Sequence, residues 1–238
     1  FASTAIPTVN TIPAIPGNVR VADKIDINAN NNTIFAANAM LATKISFMNE
    51  MASLAERSNV DIEVIRECVG MDPRIGKDYL YPGCGFGGKA LASNLEKVAS
   101  QLRQRNDDLG LLDVVVEINE RQKDLLFRKI WKFFNTELAG KKVAIWGAAF
   151  KPGSASISDA ASIKLIDSLL AHSVVVVVYD PLAGEQLLEK YSSNKNFTLA
   201  QSAKEACQES HVLAICTEWK EFWSPDLAML TRELKSKA

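Results

Sequence analysis

Four glycines lie within residues 83–88 of this 238-residue chain, in the order Gly-Cys-Gly-Phe-Gly-Gly. Because glycine has no Cβ atom, such a loop can approach a ligand closely and adopt backbone conformations closed to other residues. The reactive side chain of this glycine loop is the thiol of Cys84. Two interpretations of Cys84 stay open from the sequence: a nucleophile, or a small residue in a tight turn.

The sequence does not indicate a metal site. Its two histidines lie far apart, and its four cysteines have no metal-ligand spacing. Isolated cysteines in a chain of this size are typical of a reducing compartment, so we expect a cytoplasmic protein. The histidines are His172 and His211, and the cysteines are Cys68, Cys84, Cys207 and Cys216.

Composition excludes several classes of partner. Hydrophobic residues make up 47% of the chain and charged residues 23%, which is typical of a globular protein. The formal net charge of -1 gives no basic footprint for nucleic acid or for an anionic membrane. No apolar run approaches the ~20 residues that a membrane-spanning helix needs, and the N-terminus does not resemble a secretory signal.

The first part of the chain is predicted to be helical after an irregular lead-in. Residues 1–32 contain Pro7, Pro13 and Pro16 and end in an asparagine-rich run, so we predict no regular structure there. Apolar residues then recur at helical spacing. The predicted helices are a first one from Thr33, a short one over 61–69 ended by Gly70, one over 91–105, and a long one over Leu109–Phe134.

From residue 139 short apolar runs alternate with helical segments. The predicted strands are 142–146, 174–178, 197–199 and 211–216, separated by helices near 160–171, 184–191 and 203–208, with a last helix near 227–235. Such alternation predicts a parallel sheet. The fold class is therefore α/β: an all-helical domain followed by a Rossmann-like parallel-sheet domain. The domains are an irregular lead-in (1–32), a central helical domain (33–138) and a C-terminal sheet domain (139–238).

Five motifs in one order carry a family resemblance: residues 36–47, 71–76, 83–94, 116–123 and 147–152. Together they resemble the UDP-glucose/GDP-mannose dehydrogenase family. The resemblance implies that this chain lacks the family's N-terminal NAD domain and the last strand of its C-terminal domain, so that it is truncated at both ends. NAD is the cofactor of the family, and we expect none to bind this chain alone.

The resemblance also implies which positions would carry the chemistry. The family oxidises the C6 alcohol of a nucleotide sugar to a carboxylate through a cysteine thiolate, assisted by lysine, asparagine and acidic side chains. In this chain Ala90 stands at the position of the family's nucleophilic cysteine, and Ile34 stands at the position of the family's lysine on the first helix. Ser93 and Asn94 replace a further lysine and an acid, and Ser158 replaces a cofactor-binding arginine. We therefore predict no catalytic residues.

The positions that bind the nucleotide sugar in the family are better preserved. Alternatives remain: a surface ion pair of Arg74 with Asp72 or Asp78, a solvated Lys151, a capping role for Asn38, and core packing for Phe86. The residues that the resemblance implies for substrate binding are Asn38, Arg74, Tyr79, Leu80, Phe86, Gly87, Phe150 and Lys151.

Three functional hypotheses follow. The first is a catalytically silent derivative of a nucleotide-sugar dehydrogenase that retains UDP-sugar binding. The second is an active NAD-dependent oxidoreductase of the UDP-glucose 6-dehydrogenase type whose N-terminal NAD domain lies on another chain. The third is a structural or oligomeric scaffold without a ligand. The resemblance further implies a homodimer through the central helical domain, with the long helix over Leu109–Phe134 at the interface.

Overall fold

The structure, a computed structural model, describes residues 27–104 and 110–235, with side chains from residue 33 onward. The chain divides into a short N-terminal unit, Phe1–Ile34, and a second unit, Phe35–Ala238. The described elements, in chain order, are α1 (Ile27–Ser58), α2 (Ile62–Gly70), α3 (Leu91–Arg103), α4 (Leu111–Lys123), α5 (Leu125–Phe133), β1 (Lys142–Trp146), α6 (Ala161–Ala171), β2 (Val175–Tyr179), α7 (Gly184–Tyr191), β3 (Phe197–Leu199), α8 (Ala203–Cys207), β4 (Val212–Ile215) and α9 (Leu227–Glu233).

Helices α1, α3 and α4 share one apolar core that also contains Phe86 of the glycine loop. Ala39 and Ala42 of α1 pack with Leu95 of α3, Val115 of α4 and Phe86 of the loop. This core explains the helical spacing of apolar residues in the sequence, because each helix turns one stripe inward. Within the described residues, no helix is both long enough and apolar enough to cross a membrane.

The start of the helical region was predicted too late. Helix α1 begins at Ile27, so residues 27–32 are helical rather than irregular, while residues 1–26 lie outside the described part. Asparagine is only moderately unfavourable inside a helix, at a cost of about 0.7 kcal/mol per residue, so a run of asparagines can continue one. The domain boundaries at 32/33 and 138/139 stay predictions.

Two further helix predictions need correction. Gly70 is the last residue of α2 and not a residue beyond its end, and Met71 follows it in a helical conformation. The long helix over Leu109–Phe134 is two helices, α4 and α5, which meet at Asp124; residue 109 lies outside the described part. The apolar spacing stays in phase across this break, so the sequence pattern could not reveal it.

The C-terminal part contains a parallel sheet with the strand order β3-β2-β1-β4. All three strand pairings are parallel, with Val143 beside Val176 on one side and beside Val212 on the other. The sequence-based prediction of an α/β fold with a Rossmann-like sheet is confirmed. A short 3-10 helix at Lys220–Phe222, which the sequence analysis did not predict, follows β4.

Both faces of this sheet are buried, as the run of valines indicated. Val143 and Ile145 of β1 pack into a core on one side of the sheet, together with α6 residues such as Leu165. Ala144 and Trp146 point to the opposite side, where they contact a second core formed with α8 and the 3-10 helix. Strands covered on both faces read as continuous apolar runs rather than alternating ones, which is why their sequence signal is strong.

Candidate functional site

The glycine loop is held in place by polar side chains of α4. Asn119, which is buried, accepts the Phe86 N–H at 2.9 Å and donates its amide N–H to the Phe86 carbonyl at 3.0 Å. Gln122 donates to the Gly83 carbonyl at 2.6 Å, while Asn49 of α1 accepts the Gly83 N–H at 2.8 Å. The loop has no regular structure of its own, so these side chains supply the hydrogen bonds that its backbone requires.

The far end of the glycine loop lies against the loop between β1 and α6. The Gly88 N–H donates to the Ser158 carbonyl at 2.9 Å. A Cβ atom at Gly87 would collide with the Asp159 carbonyl, and one at Gly88 would lie 2.6 Å from the Phe150 ring. Glycine is therefore required at both positions, because the central domain and the sheet domain meet here backbone to backbone.

A buried lysine lies beneath this contact. The Lys123 side chain is 2% exposed, and its Nζ contacts Asp159 Oδ1 at 2.6 Å and Glu120 Oε1 at 2.8 Å. A buried charge without partners would be strongly unfavourable, and these two carboxylates supply Lys123 with partners of opposite charge. Burial would raise the pKa of Glu120, but the Lys123 and Lys164 ammonium groups outweigh burial and hold that pKa below its ordinary value.

An open cleft of about 560 Å³ is bounded by the glycine loop, α3, α4 and the β1–α6 loop. Its wall contains both apolar side chains and ionisable ones, and backbone of the glycine loop faces it. This combination suits a polar ligand with an apolar surface. The lining residues are Phe86, Gly88, Lys89, Ala92, Ser93, Leu95, Glu96, Val116, Asn119, Glu120, Ser158 and Asp159.

The positions matched to the family's catalytic groups hold side chains without acid, base or thiol. Ala90 directly precedes α3 and is exposed. Ser93 lines the cleft from the first turn of α3, and Asn94 beside it is half-buried. Ile34 belongs to the N-terminal unit and is 48% exposed. An alkyl side chain such as Ala90 or Ile34 can neither attack carbon nor donate a hydrogen bond to an oxyanion.

Of the eight residues predicted to bind a nucleotide sugar, the structure brings Phe86 to the cleft wall, whereas Gly87 is buried against the Asp159 backbone and does not line the cleft. Phe86 also belongs to the central core, so its side chain serves packing as the alternative interpretation held. Phe150 lies against Gly88, and Lys151 Nζ stands 5.5 Å from the centre of its ring. Lys151 is exposed at the carboxyl edge of the sheet, where open α/β sheets bind ligands.

The other four lie away from the lining of this cleft. Arg74 is 87% exposed on its side chain and pairs with Asp72 at 2.6 Å, the surface ion pair considered as its alternative role. That guanidinium holds the pKa of the Asp72 carboxyl below its ordinary value. Leu80 is buried, whereas Tyr79 is half exposed in a left-handed conformation. Asn38 is half-buried on α1. Their roles in ligand binding stay predictions.

The turn after β1 is occupied by an internal carboxylate. Asp180, at the end of β2, is buried, and its Oδ2 accepts the N–H groups of Ala148 at 2.7 Å and Ala149 at 3.0 Å. Its Oδ1 accepts the N–H groups of Leu182 and Ala183 at 2.9 and 2.8 Å. In dinucleotide-binding folds, N–H groups at this turn bind the pyrophosphate. Asp180 takes these donors, so this turn does not fit NAD.

Cys84 does not face the cleft. Its thiol donates to the carbonyl oxygen of Cys216 at 3.2 Å, at the end of β4. A hydrogen bond from the Cys216 thiol lowers the pKa of Cys84, and the same contact together with burial raises the pKa of Cys216. The geometry therefore gives no support to Cys84 as a nucleophile for a ligand in the cleft. Within the described residues, no group of three or more metal-ligating side chains is present.

Sequence reasoning missed the residues that build the site from beneath. Asn119 and Lys123 were noted only as part of the motif over 116–123, and no role was predicted for Asp159 or Asp180. One signal was available for the first two, since polar residues four apart on a helix share a face. Here that face also carries Val115, which is buried. A polar pair in line with an apolar stripe indicates buried hydrogen-bonding partners.

Comparison with known proteins agrees with this architecture. The fold and site define an α/β protein in which a helical domain meets the edge of a Rossmann-like sheet. Residues 32–121 match the central domain of the UDP-glucose/GDP-mannose dehydrogenase family, and residues 144–238 match its UDP binding domain. The chain belongs to the UDP-glucose/GDP-mannose dehydrogenase family.

Individual relatives support the same assignment. The chain is 38% identical over 205 residues to UDP-glucose 6-dehydrogenase from Pseudomonas aeruginosa, which covers 85% of this chain and 45% of that protein. It is 33% identical over 192 residues to UDP-glucose 6-dehydrogenase from Rickettsia bellii, covering 81% of this chain and 44% of the relative. The chain thus spans less than half the length of these relatives.

A solved structure is also similar. The UDP-glucose dehydrogenase from the hyperthermophilic archaeon Pyrobaculum islandicum has a TM-score of 0.76 at 26% identity, with 86% of this chain and 49% of that chain covered. The UDP-D-ManNAc dehydrogenase from Pyrococcus horikoshii has a TM-score of 0.70 at 21% identity, which supports the fold alone. The resemblance that the sequence motifs indicated is confirmed.

Proposed function

We propose that this chain is a catalytically silent member of its family that retains a binding site for a UDP-sugar. One observation carries the proposal. The glycine loop keeps its anchored conformation and forms a wall of the 560 Å³ cleft, while the residue that begins the adjoining helix is Ala90. The backbone that forms the site is thus present, but the position of the nucleophile carries only the methyl group of Ala90.

The loss of chemistry follows from what the remaining side chains can do. Dehydrogenation to a carboxylate through a covalent intermediate needs a nucleophile, an oxyanion donor and a base. The cleft does contain three carboxylates: Glu120 and Asp159 are paired with the buried Lys123 ammonium, and Glu96 is paired with Arg103. When several groups act as one unit, loss of one member already costs several orders of magnitude in rate.

Retained binding is supported by the geometry of the carboxyl edge. The Phe150 ring lies against Gly88 of the glycine loop, and the Lys151 ammonium lies 5.5 Å from the centre of that ring. A ligand at this edge could therefore contact a cation, an aromatic ring and the backbone of the glycine loop. A lysine ammonium contributes as a point charge to phosphate binding. UDP-glucose is the probe of choice, because the relatives with the cited names act on it. We expect no NAD to bind this chain alone, since Asp180 takes the donors of the turn after β1.

Calorimetric titration with UDP-glucose tests this function. We expect saturable heat from the wild-type chain, and Lys151→Ala should weaken binding by roughly tenfold to a hundredfold because a hydrogen bond to a charged group is worth about 1.5–3 kcal/mol. The matched control is Lys195→Ala, an exposed lysine in the loop before β3, at the opposite edge of the sheet. Absence of heat from wild type would favour the scaffold hypothesis, and equal affinity of both variants would remove Lys151 from the site.

We also propose that the chain forms a homodimer through its central helices. Met40, Phe47 and Leu54 recur every seventh residue along α1, and they are 62%, 49% and 48% exposed. A regular apolar stripe on a helix surface is typical of a contact with another helix. The exposed Leu111 on α4 and Phe133 on α5 extend apolar surface to the helices that the family resemblance placed at the interface.

Analytical ultracentrifugation tests the dimer. Phe47→Glu should shift the population to monomer, because a charge buried in an apolar interface is strongly unfavourable. Leu188→Glu on α7 is the matched control, since Leu188 is 46% exposed but lies in the sheet domain. A wild-type chain that sediments as a monomer at all concentrations would contradict the proposal. A cytoplasmic, reducing location fits the four free cysteines and completes the proposal.

A further inference from the structure

Two of the four cysteines meet where the two domains touch. Cys84 belongs to the glycine loop of the central domain, and Cys216 directly follows β4 of the sheet. They are 132 residues apart in the chain, yet the Cys84 thiol hydrogen-bonds the Cys216 carbonyl at 3.2 Å. This contact places the Cys84 sulfur directly against residue 216. Such a contact between distant cysteines is not produced by local sequence.

The backbone on the Cys84 side is held from both directions. Gly83, directly before it, is fixed by Asn49 and Gln122 through its N–H and its carbonyl. Phe86, two residues later, is fixed by the Asn119 amide. The Cys84 side chain therefore points to its partner without a change in the surrounding backbone.

The backbone on the Cys216 side is held by the sheet. Its N–H donates to the Trp146 carbonyl at 2.9 Å, which continues the β1–β4 pairing by one residue. The next residue, Thr217, donates its hydroxyl to the Ala149 carbonyl at 2.6 Å. Both cysteines thus lie on backbone that hydrogen bonds hold in place, and the Cys84 sulfur already contacts residue 216. Pre-orientation of this kind raises the effective concentration of one thiol toward the other.

The two thiols differ in a way that suits sequential oxidation. The hydrogen bond from Cys216 favours the thiolate of Cys84, which is the reactive form of a cysteine. Cys84 and Cys216 are both of intermediate exposure as whole residues. The remaining cysteines lie elsewhere: Cys207 is the buried last residue of α8, and Cys68 is exposed on α2.

We propose that Cys84 and Cys216 are an oxidation site, at which a peroxide converts the two thiols into a disulfide that joins the glycine loop to the end of β4. The Cys84 thiolate attacks one peroxide oxygen, so that an S–O bond forms, the O–O bond breaks, and hydroxide leaves and takes up a proton to become water. Cys216 then attacks the Cys84 sulfur; the S–S bond forms and the S–O bond breaks, releasing a second water. Two thiols are oxidised and one peroxide is reduced.

Peptide mapping after oxidation tests the proposal. Reduced wild-type protein is treated with hydrogen peroxide, its remaining thiols are alkylated under denaturing conditions, and its tryptic peptides are analysed by mass spectrometry. We expect loss of two of the four thiols and one cross-linked peptide pair containing residues 84 and 216. The double variant Cys68→Ser/Cys207→Ser should give the same cross-link at the same rate, whereas Cys84→Ser and Cys216→Ser should give none and should keep the wild-type circular dichroism.

Several outcomes would overturn the proposal. These are retention of all four thiols at peroxide levels that oxidise glutathione, a cross-link that includes Cys68 or Cys207, and a disulfide between two copies of the chain. Accumulation of sulfinic acid on Cys84 with the Cys216 thiol still free would equally contradict it, because the second thiol would then be out of reach. None of these results depends on whether the chain binds a UDP-sugar.

Discussion

Replacement of Asp180 by asparagine should destabilise the protein far more than a one-atom change suggests. The carboxylate accepts five hydrogen bonds. Oδ2 accepts the N–H groups of Ala148 and Ala149 and, at 3.3 Å, the indole N–H of Trp219. Oδ1 accepts the N–H groups of Leu182 and Ala183. An asparagine has one oxygen and one NH2 group, so whichever way it turns, its NH2 faces at least two N–H donors.

The expected loss in the free energy of unfolding follows from the N–H donors that are left without an acceptor. A buried donor without a partner costs about 1–3 kcal/mol, so two of them cost roughly 2–6 kcal/mol. That is a large share of the ~5–15 kcal/mol by which a domain is stable, and a midpoint shift of this size is easily resolved. The turn after β1 would also lose its internal anion, so the effect should centre on the sheet domain.

Urea denaturation followed by tryptophan fluorescence measures this prediction, because Trp146 and Trp219 both lie in the affected cores. The matched control is Asp167→Asn, whose carboxylate is 52% exposed, pairs with Lys190 and accepts the Tyr191 hydroxyl, a hydrogen bond that an asparagine oxygen can still accept. Exposed pairs of this kind contribute about 0–1 kcal/mol. If Asp180→Asn lost no more stability than Asp167→Asn, the interpretation of Asp180 as the internal anion of this turn would be wrong.

Three further outcomes are expected. Gly88→Ala should lower the urea midpoint strongly, because Gly88 has φ +86° and no room for a Cβ atom. Gly83→Ala in the same loop should change the midpoint little, because there is open space around Gly83. Equal midpoints for the two variants would contradict the close approach of the glycine loop to the β1–α6 loop. The Lys123 and Lys164 ammonium groups hold the pKa of Glu120 below 4.5, so its carboxylate stabilises the fold at neutral pH and loses this effect as pH falls. The free energy of unfolding that Glu120→Gln loses relative to wild type at about pH 7 should therefore be smaller at about pH 4. Burial raises the pKa of Cys207 to about 11, so alkylation of the native protein at mildly alkaline pH should label Cys68 first and Cys207 last; the reverse order in a mass-spectrometric time course would refute this.

The sheet could be predicted from the sequence almost to the residue. The strands 142–146 and 197–199 have the bounds that their apolar runs indicated, because each is a short run that turn or loop residues bound. Strand β2 begins one residue later than predicted and ends at Tyr179 rather than at Val178. Burial on both faces makes such runs continuous, and continuity is a property that the sequence shows directly.

The supports of the candidate site could not be predicted in this way. Lys123 meets Asp159 across 36 residues of sequence, and Asp180 meets Ala148 across 32. Neither pairing leaves a local periodicity, so only the folded backbone brings the partners together. The sequence motif likewise identifies Arg74 as a candidate residue but not the direction of its side chain, which in this structure pairs with Asp72.

We propose that the cleft binds a UDP-sugar without oxidising it. The most direct test is the absorbance of reduced nicotinamide after NAD and UDP-glucose are added to the purified chain. UDP-glucose 6-dehydrogenase from Pseudomonas aeruginosa serves as the positive control. We predict no increase from this chain at a concentration at which calorimetry detects UDP-glucose binding. Sustained formation of NADH by the chain alone would contradict the account.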